Sequence, residues 1–290
     1  TNASKPTCYL PFYKPGAVGF QETRKLIVDK GELCEVFLEK NSQYLINYSN
    51  LSYPTVYIFN TRIRQKTFGV TTYGPLSHVA FEMDLSYDSA TLAEHSTPKE
   101  ILVDENLTGY VSTKNFGICK CESLVFQVYG TRLDQEQVDT NEIFYFDFKN
   151  EEPKYHKLRI KEAAGSRAEI MPRNGVTTCA FKREGIYYLY VFGGQVQNNV
   201  LYNEKNYGCI DIIDIVEVYW TEDPRGELGW DYKVFPKSSL TKDKNFSFIP
   251  FKNSFAHYDE KKEEIRLMGG SSFANSVYDW NFPVFVFDVK

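Results

Sequence analysis

Nowhere in the 290 residues does an apolar run approach the roughly 20 residues that a membrane-spanning helix needs, so no spanning helix is expected. Basic residues gather into no long patch, and the net charge is −5. Nucleic acid and anionic membrane surfaces are therefore not expected partners. Histidine is scarce, with four in all: His78, His95, His156 and His257. None is spaced as H-x-x-x-H or H-E-x-x-H, which removes the usual helical metal-protease pattern. G-x-S-x-G, a Walker phosphate loop and a dinucleotide loop are all missing, so no catalytic residue, metal or cofactor is assigned. Helical periodicity is nearly absent as well. Only Asp88–Lys99, around S-A-T-L-A-E, offers a helical turn, inside what reads as a long loop.

What is present favours sheets. The chain is 42% hydrophobic and 24% charged, which makes it globular. Aromatics reach 16%, with 21 Tyr and 22 Phe, and such residues suit a pleated, half-buried surface. Short runs alternate apolar and polar side chains and are cut by Gly, Pro and Asn, so the reading is all-β. Arg62, Arg64 and Lys66 occupy alternating positions of one such run, which reads as a solvated strand face.

Six cysteines are present: Cys8, Cys34, Cys119, Cys121, Cys179 and Cys209. An even number permits a disulfide framework whose pairing stays open. Cys119 and Cys121 lie two apart in a strand and so share a face. No second C-x-C or C-x-x-C exists to complete a zinc knuckle. Each is expected to pair with a distant cysteine, with Cys179 and Cys209 as partners. Five N-x-[ST] acceptors occur, at Asn2, Asn47, Asn50, Asn106 and Asn245. Chance gives roughly two for this composition. Together these features point to a secreted or cell-surface chain with N-glycans and disulfides. No leader is visible at Thr1, which leaves a mature chain with its leader removed or a cytosolic one.

The C-terminal part repeats itself. One copy runs P-R-N-G-V-T-T-C-A-F, a turn, I-Y-Y-L-Y-V-F-G-G, a loop, D-I-V-E-V-Y-W, a turn, W-D-Y-K-V-F-P. The next runs P-F-K-N-S-F-A-H-Y, a turn, E-I-R-L-M-G-G, a loop, F-P-V-F-V-F-D-V. An earlier, looser copy runs F-G-I-C-K-C, S-L-V-F-Q-V-Y-G, E-I-F-Y-F-D-F and Y-H-K-L-R-I. A repeated four-stranded unit cannot bury both faces of its sheet alone, whereas radial packing of several units can. In the first copy the third strand is expected over Ile210–Trp220, and Gln195–Tyr207 is expected to be a polar loop.

At these residues the chain resembles the kelch-repeat family. The paired glycines Gly193–Gly194 and Gly269–Gly270, the aromatic Tyr219 or Trp220 with Trp230, Trp280, and the basic Arg173 and Lys252 ahead of the first strands carry the likeness. It covers roughly residues 116–290, and residues 1–115 would be degenerate blades of the same single domain. The resemblance implies a β-propeller of about five or six four-stranded blades. An N-terminal strand near Cys8–Tyr13 would complete the blade that Phe282–Val289 leaves unfinished, so that few edges stay exposed.

The function expected is an interaction module for a protein or a glycan, alone or as one subunit of an extracellular assembly. Its binding face would lie on the inserted loops 195–207, 271–281 and 134–141, through Gln195, Gln197, Asn198, Asn199, Tyr202, Ser272, Asn275 and Tyr278. Asn and Tyr there suit adaptable polar contacts with aromatic anchors. The alternatives are an enzyme with a central-channel site, of glycosidase or copper-radical oxidase type, and a cytosolic kelch adaptor. The acidic pairs Asp211/Asp214 and Glu222/Asp223 are the carboxylates that a glycosidase reading would need.

Overall fold

Strands make up the regular structure of the computed structural model: nineteen of them, and no helix, among the described residues. Those residues are 34–47, 55–67, 70–86, 89–92, 99–103, 107, 112–134, 138–150, 153–160, 169–198, 208–211, 214–220, 230–235, 254–270 and 284–289. The fold class is thus all-β, as the composition predicts. The chain divides into two compact units, Thr1–Asp104 with Asn150–Lys154, and Glu105–Lys149 with Tyr155–Lys290.

The first unit is built on long strands. β1 (Cys34–Asn47), β2 (Thr55–Thr67) and β3 (Val70–Ser86) form an antiparallel meander of 14, 13 and 17 residues. Strands this long twist strongly, and β-bulges take up the irregularity. The register shifts between Leu38 and Gln43 on β1, and between Ile58 and Thr61 on β2. Asn60 sits in the second shift with φ 54°, and its N–H donates to Nδ1 of the buried His78 at 3.2 Å. The polar residues within β1 and β2 do not end them, because pairing along the neighbouring strand carries them through. The helical turn expected within Asp88–Lys99 is also corrected. Ser89–Leu92 is a strand, β4, paired with the end of β3, and β5 (Lys99–Val103) pairs with the middle of β3.

The second unit repeats an antiparallel sheet. The first copy contains β7 (Gly117–Cys121), β8 (Leu124–Arg132), β9 (Asp139–Asp147) and β10 (Lys154–Lys157), and the two-residue β6 (Thr113–Lys114) extends the edge at β8. The second contains β11 (Thr177–Arg183), β12 (Ile186–Phe192), β15 (Ile215–Trp220) and β16 (Asp231–Phe235), in that spatial order. A two-stranded ribbon interrupts it, β13 (Gln195–Asn198) with β14 (Gly208–Asp211). The third contains β17 (Phe255–Asp259), β18 (Glu264–Met268) and β19 (Phe285–Asp288). The strand predicted over Ile210–Trp220 is therefore two strands: Asp211 ends the ribbon, and Ile215 starts the third strand of the sheet.

Alternation explains how these sheets bury both faces. On β12, Leu189 and Val191 join Val216 and Val218 of β15 in a core with Phe126, Val128, Ile143 and Tyr145 of the first sheet. The intervening Tyr190 and Phe192, with Ile215, enter a second core with Ile265, Leu267 and Phe285 of the third sheet. A period of two thus sends successive residues of one strand into different cores. Trp230 closes the first core edge-on against Phe126, with centroids 5.9 Å apart. In the second, Phe181 and Tyr258 stack with centroids 3.7 Å apart. Full burial of side chains of this size stabilises by about 1.5–3 kcal/mol each.

The glycine turns mark the same place in each sheet. Gly193 and Gly194 have φ of 59° and 94°, and Gly269 and Gly270 have 69° and 97°. In the first sheet the equivalent pair is Tyr129–Gly130, at 60° and 108°. A tyrosine there adopts the left-handed backbone that glycine takes without strain. At Gly194 crowding adds to the backbone constraint. A Cβ would lie 2.8 Å from the Asn174 carbonyl and 2.8 Å from Val176 Cγ1. At Gly269 a Cβ would meet nothing within 4 Å, so only φ matters there.

Candidate functional site

The segment after Gly194 is where the second sheet departs from the first. The polar loop expected over residues 195–207 is in part the ribbon β13–β14, with Gln195 paired to Asp211, Val196 to Ile210, Gln197 to Cys209 and Asn198 to Gly208. Q-V-Q-N and G-C-I-D carry little apolar weight, so the ribbon is held by its backbone ladder and by its root. An isolated two-stranded ribbon is marginal in water, which makes the root decisive.

Arg173 and Asn174 build that root. Arg173 is fully buried, at 0% exposure. Its Nη1 donates to the Gly193 carbonyl at 3.1 Å and also to the Asp214 carboxylate. Its Nε donates to the Met171 carbonyl at 3.2 Å, and its guanidinium lies 5.8 Å from the centre of the Tyr129 ring. Asn174 and Gln195 exchange both backbone hydrogen bonds, each at 2.9 Å. Gln195 Nε2 donates to Asn174 Oδ1 at 3.2 Å. Asn174 Nδ2 donates to Asp139 at 2.9 Å, and the same carboxylate oxygen accepts the Thr131 hydroxyl at 2.7 Å. The ribbon is thereby tied to both the first and the second sheet. A buried charge needs such a partner set, because an unpaired one costs several kcal/mol.

A second polar group lies inside the second core. Glu217 is buried, accepts the Tyr190 hydroxyl and pairs with Lys233 at 3.2 Å. Burial, and then the carboxylate beside it, push the Tyr190 phenol above its usual range. This group ties β12, β15 and β16 together across one face and is structural.

The candidate binding residues fare unevenly. Gln195 is half-buried, and its side chain donates to Asn174 at the root of the ribbon. Gln197 and Asn198 lie on β13. Asn199, Tyr202, Ser272, Asn275 and Tyr278 lie outside the described residues. Of residues 134–141, Asp139–Asn141 form the start of β9 and are not loop. Arg62, Arg64 and Lys66 lie on β2, where Arg62 is opposite Phe37 and Arg64 opposite Glu35 on β1. Arg173 had been marked only as a basic residue ahead of a strand. Its bond to Asp214 spans 41 positions, and nothing local in the sequence announces it.

The cysteine expectation is corrected where the structure describes the thiols. Cys119, Cys121 and Cys179 are buried and free. Cys119 and Cys121 share one face of β7 and enter the first core, as their spacing requires. Cys179 enters the second core, because on β11 its side chain points to the opposite face from Ala180, which packs against the first. Cys179 therefore faces a different core from the pair it was expected to bridge. Burial pushes the Cys121 thiol up to about 11 and the Cys179 thiol to about 12. Such thiols are poor nucleophiles and poor metal ligands. Cys34 lies on β1 and Cys209 on β14, while Cys8 lies outside the described residues. Of the glycosylation acceptors, Asn47 ends β1, and Asn2, Asn50, Asn106 and Asn245 lie outside the described residues.

Among the described residues, no group of three or more His, Cys, Asp and Glu is arranged to hold a metal ion. His156 packs on Tyr145 with centroids 5.4 Å apart, His257 is exposed on β17, and His78 is buried on β3. Asp214 is committed to Arg173, which separates it chemically from Asp211. No helix among the described residues is long and apolar enough to cross a membrane.

No family model matches the sequence, and no curated protein matches it. Among solved structures, the chain is similar to one described as the structure of YjhT, at 11% identity and a TM-score of 0.37, over 93% of this chain and 89% of that one. It is also similar to a chain of RAG in complex with one melted and one unmelted RSS, at 13% identity and a TM-score of 0.46, over 81% of this chain and 64% of that one.

Proposed function

We propose that the chain is a kelch-like β-propeller that works as an interaction module, with the ribbon β13–β14 and the linking residues 199–207 as the contact arm. The observation that carries this reading is the root of the ribbon. A fully buried arginine, Arg173, and Asn174 are spent on fixing a polar excursion that the sheet itself does not need. Rigid presentation of a polar arm lowers the entropy lost on binding. The repeated antiparallel sheets, with a left-handed residue pair at the end of the second strand in the second and third sheets and inside it in the first, support the propeller architecture. In this reading about five or six blades close into a ring, with Cys8–Tyr13 adding the strand that the three-stranded β17–β19 sheet lacks. The partner is a protein or a glycan, and the chain is secreted or on the cell surface, alone or as one subunit of an assembly. The five N-x-[ST] acceptors support that location.

The test compares the wild-type chain with a variant in which two glycines replace residues 196–210. Both are applied to a glycan array and to an array of extracellular protein domains. The proposal expects signals that the wild type gives and the shortened chain loses. Identical signals from both would remove the ribbon as the contact arm.

A second reading is favoured by one observation. Three free buried thiols suit a reducing compartment and therefore a cytosolic kelch adaptor. Treating the native protein with an N-glycosidase separates the two. A loss of mass supports the secreted reading, and an unchanged mass supports the cytosolic one.

A further inference from the structure

The ribbon leaves the second sheet at Gly193–Gly194 and returns to it at Asp214. One nitrogen of one side chain touches both points. Arg173 Nη1 donates to the Gly193 carbonyl, 3.1 Å away, at the outgoing foot, and to the Asp214 carboxylate at the returning foot. A backbone bond from Gly193 N–H to the Asp214 carbonyl, at 3.4 Å, lies between them. Asn174 holds only the outgoing foot, through Gln195. The guanidinium is fully buried, while Asp214 reaches the surface in part, with 17% of its side chain exposed. We infer that the Arg173–Asp214 pair is a latch: it closes the two feet of the ribbon on each other and sets how rigidly β13 and β14 are held.

Several features support a latch over a plain core ion pair. Asp214 lies just outside β15, which starts at Ile215, and Arg173 just ahead of β11, which starts at Thr177. Neither belongs to the strand ladder of the sheet, whose pairings from Thr177–Phe192 through Ile215–Phe235 are complete without them. The apolar contacts of that sheet lie on Leu189, Val191, Val216 and Val218, not on the pair. The closed geometry adds charge-assisted bonds at a point where the chain turns through two left-handed glycines and where the other ties are neutral: the Gly193–Asp214 backbone bond and the Asn174–Gln195 pair. Arg173 is in this sense a positioning residue for the ribbon. The latch holds whatever the ribbon binds, and it would stand even if the contact-arm reading failed.

Hydrogen exchange read by mass spectrometry on the full chain tests it without a partner. Removing one member of the pair alone risks unfolding, so the decisive variant replaces both with apolar residues, Arg173→Met with Asp214→Leu. Such swaps of a buried pair are commonly tolerated by the fold. The expected result is amide exchange at least tenfold faster across Gln195–Asp211, with β11 and β12 within twofold of wild type. Asn174→Ala is expected to accelerate the outgoing strand β13 more than β14. Unchanged exchange in the ribbon would overturn the latch. Equal acceleration through the whole β11–β12–β15–β16 sheet would also overturn it, by showing that the pair holds the sheet and not the ribbon.

Discussion

The first and second sheets of the C-terminal unit are the same device made with different parts. Each carries two consecutive left-handed residues: in the second sheet they follow the second strand, and in the first they form a bulge inside it, where the register shifts between Val128 and Gly130. The first uses Tyr129–Gly130 and closes to its third strand through residues 133–138, with Arg132 N–H bonded to the Val138 carbonyl at 2.9 Å. The second uses Gly193–Gly194 and inserts the ribbon before its third strand resumes at Ile215. At the foot of the short closure Thr131 donates to Asp139 and Arg132 pairs with Asp134 at 2.6 Å. The long one draws on a buried arginine, an asparagine and an aspartate. Scaffold and insertion are thus held by different chemistry: alternating apolar residues for the sheets, a charged and amide network for the ribbon.

Breaking the network should have the largest effect. Arg173→Ala strands Asp214 and deletes the tie to Gly193, and denaturant unfolding is expected to lose about 3–5 kcal/mol. The glycine turns come next. Gly194→Ala meets both a left-handed φ and backbone 2.8 Å away, and should cost about 2–3 kcal/mol by the same measurement. Gly269→Ala meets only the φ, and about 1 kcal/mol is expected. A reversed order would show that crowding at Gly194 is not what fixes the turn. Tyr129→Phe is the smallest change. The Tyr129 hydroxyl is buried and has no hydrogen-bond partner among the described residues, so its removal should leave stability within about 0.5 kcal/mol or raise it slightly. A loss above 1 kcal/mol would assign that hydroxyl a structural bond.

The other unit sharpens the contrast through pH. His78 is buried and accepts the Asn60 N–H, and burial lowers its pKa from 6.5 to about 3. The folded chain keeps this imidazole neutral while the unfolded chain protonates it below pH 6.5. Its contribution is therefore complete above that pH and is lost as the pH falls toward 3. The slope is about 1.4 kcal/mol per pH unit from this one group. His78→Gln should flatten the acid limb of stability measured between pH 6.5 and 4. An unchanged limb would mean that other groups carry it.

Much of the C-terminal unit was legible in the sequence. Ile186–Phe192 and Glu264–Met268 are strands with the expected ends, and the paired glycines stand where the chain turns left-handed. Those signals are local: apolar runs, alternation and a residue type with unusual backbone freedom. The failures are all of long range. Residues 195–198 and 208–211 carry no strand pattern of their own, and their pairing comes from a root supplied by residues 173, 174 and 214. The polar gaps in β1 and β2 hid strands that persist because a neighbour's ladder carries them across a bulge. The spacing of Cys119 and Cys121 gave their shared face correctly. No spacing could tell that Cys179 would face the other core, because that depends on which side of β11 each neighbouring sheet packs.

The central claim is that the second sheet is complete without the ribbon it carries. Thermal unfolding of the chain in which two glycines replace residues 196–210 tests this most directly. The account predicts a midpoint within about 3 °C of wild type, since the cores on both faces are untouched. A fall of about 10 °C or more would contradict it, by showing that the ribbon is part of the scaffold and not an arm mounted on it.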